Sequence, residues 1–303
     1  MKIAVTGGAG FIGSNLVDAL LEKGHEVVII DDLSTGKISN LNPKATHYEV
    51  ALHKTSVENL LSILKGVEVV YHTAALARVQ PSIKDPIKYN EANVTAIVKL
   101  LTACVEAKVK RVVYSASSSA YGNAEVFPTP ESAPTDSLSP YGLQKYIGEL
   151  YCRMYSKVYG IDTVCLRYFN IYGPRMNFEG AYKTVIGVFA EQKKKGLPLT
   201  ITNDGTQKRD FTYVKDVVAA NILAGESKEK FIGEVFNIGN GGNVSINEVA
   251  DMIGGVKDYG EERLEPYETL ADNSKAKKVL GWSPKGNLKK FIENDLWSLN
   301  ELL

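Results

Sequence analysis

The chain has 303 residues, 44% hydrophobic and 23% charged, enough to bury a core as one large domain or two closely joined ones. Lysine plus arginine equals aspartate plus glutamate at 35 each, so no global field draws nucleic acid or an anionic membrane, and any phosphate must be bound locally. Three scattered cysteines, Cys104, Cys152 and Cys165, without a CxxC pair or histidine cluster predict no metal site and the reduced core thiols of a cytoplasmic protein.

Met1-Lys2 opens directly onto Ile3-Ala4-Val5, without the apolar segment of a signal peptide, and no later stretch is long enough to span a bilayer. Short β-branched runs then alternate with helical stretches: Lys2 to Val5, Val27 to Ile30, Val67 to His72, Arg111 to Ser115 and Thr163 to Leu166 as strands, and Phe11 to Lys23, Asn93 to Ala107 and Gln144 to Tyr159 as helices. The strands are nearly all apolar, as in sheets covered on both faces, so the expected fold is α/β, a doubly wound parallel sheet. After Tyr168 turns multiply, at Gly173-Pro174, Gly196-Leu197-Pro198, Gly205 and Gly239 to Gly242. Residues 1–168 are therefore expected to form a dinucleotide-binding domain and 169–303 mainly a smaller substrate-binding region, with the segment of about 210–240 returning to the main sheet. Lys193-Lys194-Lys195 before Gly196 reads as a helix end.

Directly after the first strand, Gly7, Gly10 and Gly13 are spaced three apart in Thr6-Gly7-Gly8-Ala9-Gly10-Phe11-Ile12-Gly13. A glycine triplet alone marks any tight strand-to-helix turn. Here it has a strand before it, a helix after it and Asp31 closing the second strand, the combination that brings backbone N–H groups and a helix N-terminus to a pyrophosphate. Asp31, with Asp32 able to share the role, would accept from ribose hydroxyls and repel a 2′-phosphate, which favours NAD over NADP.

Tyr141 and Lys145 lie four apart behind Ser139-Pro140, so a helix starting there puts both on one face. A phenol titrates near ~10 in water; an adjacent ammonium and a nicotinamide cation would stabilise the phenolate and make Tyr141 a base for a sugar hydroxyl. With 16 tyrosines in the chain such a pair also arises by chance on a helix surface. Its weight comes from Ser117-Ser118-Ser119-Ala120-Tyr121-Gly122, which follows the Arg111 strand at the sheet end where ligands bind.

Together with RYFNIYGPR from Arg167, KRDFTYVKD from Lys208 and LADNSKAKKVLGW from Leu270, these motifs span nearly the whole chain, which resembles the extended short-chain dehydrogenase/reductases and, within them, the NAD-dependent nucleotide-sugar 4-epimerases acting on UDP-galactose or UDP-N-acetylglucosamine. The resemblance implies Ser117, Tyr141 and Lys145 as the catalytic set. Cofactor contacts would come from Gly7, Gly10, Phe11, Ile12, Gly13, Asp31, Asp32 and Ala74, as well as Tyr141 and Lys145, the latter holding the nicotinamide ribose. Asn170, Arg209 and Arg263 would contact the nucleotide diphosphate, Ser118, Ser119 and Arg78 the sugar, and Thr269 would line the sugar pocket. A bulky tyrosine at that last position restricts the family's pocket to plain hexoses, so Thr269 implies room for N-acetylated sugars. A homodimer formed through two helices per subunit is also implied.

The chain departs from the family in three places. Dehydratases carry an Asp-Glu pair where Ser118 and Ser119 stand, which argues against water elimination. No aspartate follows the third strand to meet adenine, since Tyr48-Glu49-Val50 leads to Ala51-Leu52. Arg263-Leu264-Glu265-Pro266 is compressed relative to the usual RPGD pattern. Epimerisation of UDP-glucose and UDP-galactose, with the N-acetylated pair as a further candidate, is the expected activity. If Arg78 reads a carboxylate, UDP-glucuronate is the alternative; a reductase, decarboxylase or dehydratase, or a dinucleotide sensor without turnover, are the other readings.

Overall fold

The computed structural model describes residues 1–178, 183–262 and 265–299. The first half alternates β1 (Lys2–Thr6), α1 (Phe11–Glu22), β2 (Glu26–Asp31), β3 (Thr46–Glu49), α2 (Val57–Ile63), β4 (Val69–His72), α3 (Val79–Lys84), α4 (Pro86–Asn90), α5 (Ala96–Glu106), β5 (Arg111–Ser117), α6 (Pro140–Tyr159) and β6 (Asp162–Tyr168). Shorter elements follow: β7 (Ile171–Tyr172), α7 (Val185–Lys194), β8 (Leu199–Ile201), β9 (Lys208–Asp210), β10 (Thr212–Tyr213), α8 (Val214–Glu226), β11 (Ile232–Ile238), β12 (Asn243–Ser245), α9 (Ile246–Ile253), β13 (Lys257–Tyr259), α10 (Ser274–Leu280) and α11 (Leu288–Lys290).

Seven strands form one parallel sheet in the order β11-β6-β5-β4-β1-β2-β3. The strand order reverses between β1 and β4, and such a switch point opens a crevice at the carboxyl ends of the strands. Within β1, Ile3 and Val5 pack with Leu16 and Leu20 of α1 and Val217 and Ala220 of α8, whereas Ala4 faces the core shared with Leu100 of α5 and Cys152 of α6. Side chains alternate between two covered faces, which is why the strand runs are continuously apolar.

β11 joins the sheet at β6, from Ile232 opposite Thr163 to Ile238 opposite Tyr168. A third core lies in the later elements, where Phe178, Phe189, Leu199, Ile201, Val249 and Phe291 pack together. Phe11 at the start of α1 packs against this third core, and Ile12 against the core under α1.

The expected Asn93–Ala107 helix begins earlier. Asp85 caps α4 by accepting from the Lys88 amide at 3.2 Å, Pro86 occupies the first turn, and a π turn over Glu91–Thr95 joins α4 to α5. The extra residue of that turn accompanies an inward Asn93, whose Oδ1 accepts from the Leu76 amide at 2.9 Å and whose Nδ2 donates to the Leu76 carbonyl and to Gln144 Oε1, both at 3.0 Å. α6 starts at Pro140, where Ser139-Pro140 places it, ahead of Gln144: Ser139 Oγ accepts from the Gly142 amide at 3.2 Å with Pro140 in the first turn.

Candidate functional site

The glycine loop is tighter than its spacing alone conveys. Gly7 has φ 72°, and a Cβ there would stand 2.7 Å from the Ala74 amide nitrogen; a Cβ on Gly13 would stand 2.1 Å from the Gly7 carbonyl. Ala74, after β4, donates its amide to Thr6 Oγ1 at 3.3 Å, so β1 and β4 hold the loop between them. A cradle that admits no side chain, at the N-terminus of α1, suits the close approach of a dinucleotide's pyrophosphate.

Asp31 is buried at the end of β2. Its Oδ2 accepts from the Ala9 amide at 2.9 Å and its Oδ1 from the Leu33 amide at 2.8 Å. Burial raises its pKa, and the two amides oppose that rise. Each oxygen keeps a second lone pair for a ribose hydroxyl. Asp32 is placed differently: its Oδ1 accepts from the Ser34 amide and hydroxyl, at 3.0 and 2.5 Å, so it is engaged in closing the turn. That turn contains Gly36, where a Cβ would meet Ala9 Cβ at 2.8 Å and Asp31 Oδ1 at 3.0 Å. Gly36 stands in no sequence motif, and its place five residues beyond Asp31 is the one signal in the sequence for it.

Ser117 ends β5, with Ser118 and Ser119 in the 3₁₀ turn behind it and the Ser119 amide donating to Ser117 Oγ at 3.2 Å. Across from them α6 brings Tyr141, near enough for the Ser117 hydroxyl to favour its ionised phenol. The Tyr141 amide donates to Ser82 Oγ at 3.2 Å, tying α6 to α3. Lys145, one turn along and 4% exposed, donates from Nζ to the Ser115 carbonyl at 2.8 Å.

At Tyr141 burial sets the direction of the pKa shift. Burial raises its phenol above the ordinary value, and the Ser117 hydroxyl and the charge of Arg78 oppose the rise. The Lys145 ammonium donates to the Ser115 carbonyl, and burial pulls its pKa down to about 8. Arg78, at the N-terminal end of α3 with φ 90°, supplies the positive charge beside the phenol; burial lowers its own pKa.

Asn170, Arg209 and Thr269 come together beyond the end of β6. Asn170 Nδ2 donates to the Asp210 carbonyl and to Thr269 Oγ1, both at 3.1 Å. Arg209 donates from Nη2 to Glu265 Oε2 at 2.7 Å and from Nη1 to the Lys208 and Tyr267 carbonyls. Arg263 lies outside the described residues. Among the described residues no cluster of histidine, cysteine or acidic side chains could hold a metal ion, and no helix is long and apolar enough to cross a membrane.

A family model described as the NAD dependent epimerase/dehydratase family matches residues 3–239. The chain belongs to that family. It is similar to a solved UDP-glucose 4-epimerase from Thermotoga maritima with UDP-glucose, at 38% identity and a TM-score of 0.92, covering 98% of this chain and 97% of that one. A UDP-N-acetylglucosamine 4-epimerase from Methanobrevibacter ruminantium in complex with UDP-N-acetylmuramic acid is 38% identical, with a TM-score of 0.89 over 96% and 94% of the two chains. A UDP-glucuronic acid 4-epimerase from Bacillus cereus, in complex with UDP-glucuronic acid and NAD, is 36% identical, with a TM-score of 0.89 over 100% and 99%.

Proposed function

We propose that the protein interconverts the C4 epimers of a UDP-sugar, UDP-glucose and UDP-galactose first, with NAD as a retained cofactor. The observation that carries this reading is the placement of Ser117, Tyr141 and Lys145 together at the carboxyl end of β5, with Arg78 beside the phenol. The glycine cradle and Asp31 fit NAD, and the family and the NAD-bound neighbour support that cofactor.

NAD, when bound, accepts a hydride from sugar C4 and returns it to the other face. The chain's own groups handle protons and orientation. Tyr141 takes the proton of the 4-hydroxyl and gives it back, Ser117 holds the same oxygen by a hydrogen bond, and Lys145 anchors the nicotinamide ribose. Asn170, Arg209 and Arg263 are assigned to the diphosphate by motif. Ser118, Ser119 and Thr269 bound the sugar, with room for N-acetylated substrates, and Arg78 lies on the sugar side. Phe11, Ile12 and Ala74 line the cofactor loop; Asp32 supports its turn. The division into a cofactor domain, residues 1–168 with the 210–240 segment, and a substrate region in the rest fits the separate third core.

A homodimer is part of the reading. Leu143, Leu150, Met154 and Val158 of α6 are all exposed, and their spacing puts them on one stripe, as a helix-to-helix interface requires. The three free, buried thiols fit the cytoplasm. UDP-glucuronate is the second reading, favoured by the Arg78 guanidinium beside Tyr141. Incubating the protein with UDP-glucose, UDP-galactose, UDP-N-acetylglucosamine and UDP-glucuronate and following C4 configuration by NMR tests both; no change at C4 in any of them would refute the proposal.

A further inference from the structure

We propose that Tyr114 is a positioning residue for Lys145: its ring is the surface on which the lysine ammonium rests, and it links that ammonium to the base of the glycine loop. The inference rests on the role given to Lys145 above.

Tyr114 is 1% exposed in β5 and packs in the core that also holds Cys152 and Tyr155 of α6. The Lys145 Nζ stands 5.2 Å from the centroid of its ring, while the same Nζ donates to the carbonyl of the next residue, Ser115. The Tyr114 hydroxyl donates to the Lys145 carbonyl at 3.3 Å, so side chain and backbone of residue 145 are both held by one tyrosine. Gly148 makes this possible: a Cβ there would come within 2.1 Å of the Tyr114 hydroxyl oxygen. The ring also stacks on His72, centroids 5.7 Å apart and planes 26° from parallel, and His72 Nδ1 is 2.7 Å from Thr6 Oγ1, directly before Gly7.

The charged and titratable groups around the ammonium are Glu149 and Cys152 on its own helix, His72 from β4 and Tyr114 from β5. Burial pulls His72 down to about 3, so the imidazole is neutral at working pH and brings no repulsion. An ammonium over a ring face is stabilised by the ring quadrupole, and most strongly when desolvated. The ring therefore adds support to the charge of a lysine that burial makes easier to lose, at the place where a ribose needs a donor.

The test compares Tyr114→Phe, Tyr114→Leu and Gly148→Ala holoenzymes with wild type by pH profiles of kcat and kcat/KM for UDP-galactose, and by NAD binding to the stripped proteins at the same pH values. A lysine is charged below its pKa, so losing the ring moves the alkaline limb to lower pH, by about half a unit to one unit in Tyr114→Leu. Gly148→Ala, which crowds the ring out of place, moves it the same way, and Tyr114→Phe restores the wild-type limb. An unmoved limb in both Tyr114→Leu and Gly148→Ala, or a limb that moves as far in Tyr114→Phe as in Tyr114→Leu, overturns the inference. NAD binding reads the same ammonium without any sugar, so failure of the epimerase reading shows separately, as wild type that binds NAD yet turns over no UDP-sugar.

Discussion

Thr269 Oγ1 accepts two hydrogen bonds at 3.1 Å, one from Asn170 Nδ2 and one from the Asp210 amide, joining residues that are 99 positions apart in the chain. The Thr269 amide also donates to the Lys208 carbonyl at 3.1 Å, so the residue is stitched to β9 at both ends. Thr269→Val keeps the shape and leaves two donors without their acceptor, which costs about 1–3 kcal/mol. Thermal unfolding should show the loss, with Thr269→Ser near wild type. Equal melting of all three proteins would mean that these bonds contribute nothing. Thr269→Tyr should in addition lower turnover of UDP-N-acetylglucosamine more than that of UDP-galactose.

The raised phenol of Tyr141 has a direct spectroscopic consequence. In protein stripped of NAD, the difference titration between wild type and Tyr141→Phe should place this phenol above its ordinary value of 10.0, and Arg78→Met should push it higher still. Adding oxidised NAD should lower it, because a nicotinamide cation favours the phenolate. A Tyr141 that ionises well below its ordinary value in the stripped protein would contradict the dominance of burial at this phenol.

Gly13→Ala puts a Cβ against the Gly7 carbonyl, where backbone must move; at Gly24 nothing lies within 4 Å of the added Cβ and only the φ of +80° is unfavourable. Overpacking of this kind costs about 1–3 kcal/mol and here also closes the cradle. NAD retained after purification should fall at least about tenfold in Gly13→Ala, since about 1.4 kcal/mol is already a factor of ten in affinity. Gly24→Ala should retain it. Equal NAD content in both variants would show that the loop does not hold the dinucleotide.

Asp210 is fully buried with its carboxylate on the amides of Asn240, Gly241 and Ala271, yet burial raises its pKa from 3.8 to about 6. A carboxyl whose folded pKa is raised binds its proton more tightly in the fold, so the stability it contributes is present in full below 3.8 and is lost as pH rises to about 6. Relative to Asp210→Asn, which does not titrate, wild type should therefore be more stable near the lower value than at neutral pH, by about 3 kcal/mol at most. Denaturant titrations at the two pH values check this, and a constant difference would remove Asp210 from the pH dependence.

What the sequence determined by itself is what short-range chemistry fixes. Gly7, Gly10 and Gly13 between a strand and a helix, Asp31 at the end of the second strand, and Tyr141 with Lys145 one helical turn apart are set within a few residues, by sterics and by the 3.6-residue period. The continuously apolar strands announced a sheet covered on both faces. The start of the helix at Pro86 is also written locally, in an Asp85 cap followed by a first-turn proline.

Only the tertiary structure decided the partners of those groups. Lys145 is four residues from Tyr141, yet its ammonium goes to β5, to the Ser115 carbonyl and the Tyr114 ring, because those groups compensate a buried charge and lie 30 residues away along the chain. The direction of the Tyr141 shift follows from desolvation, which no spacing encodes. Asp32 closes a turn while its neighbour Asp31 faces the glycine loop, a difference that depends on which oxygen meets which amide. Asn170 and Thr269 meet because Asp210 ties β9 both to the loop after β11 and to the segment leading to Ala271. Contacts of that sequence separation are set by packing of the whole fold, and a linear chain carries them only as matching chemistry.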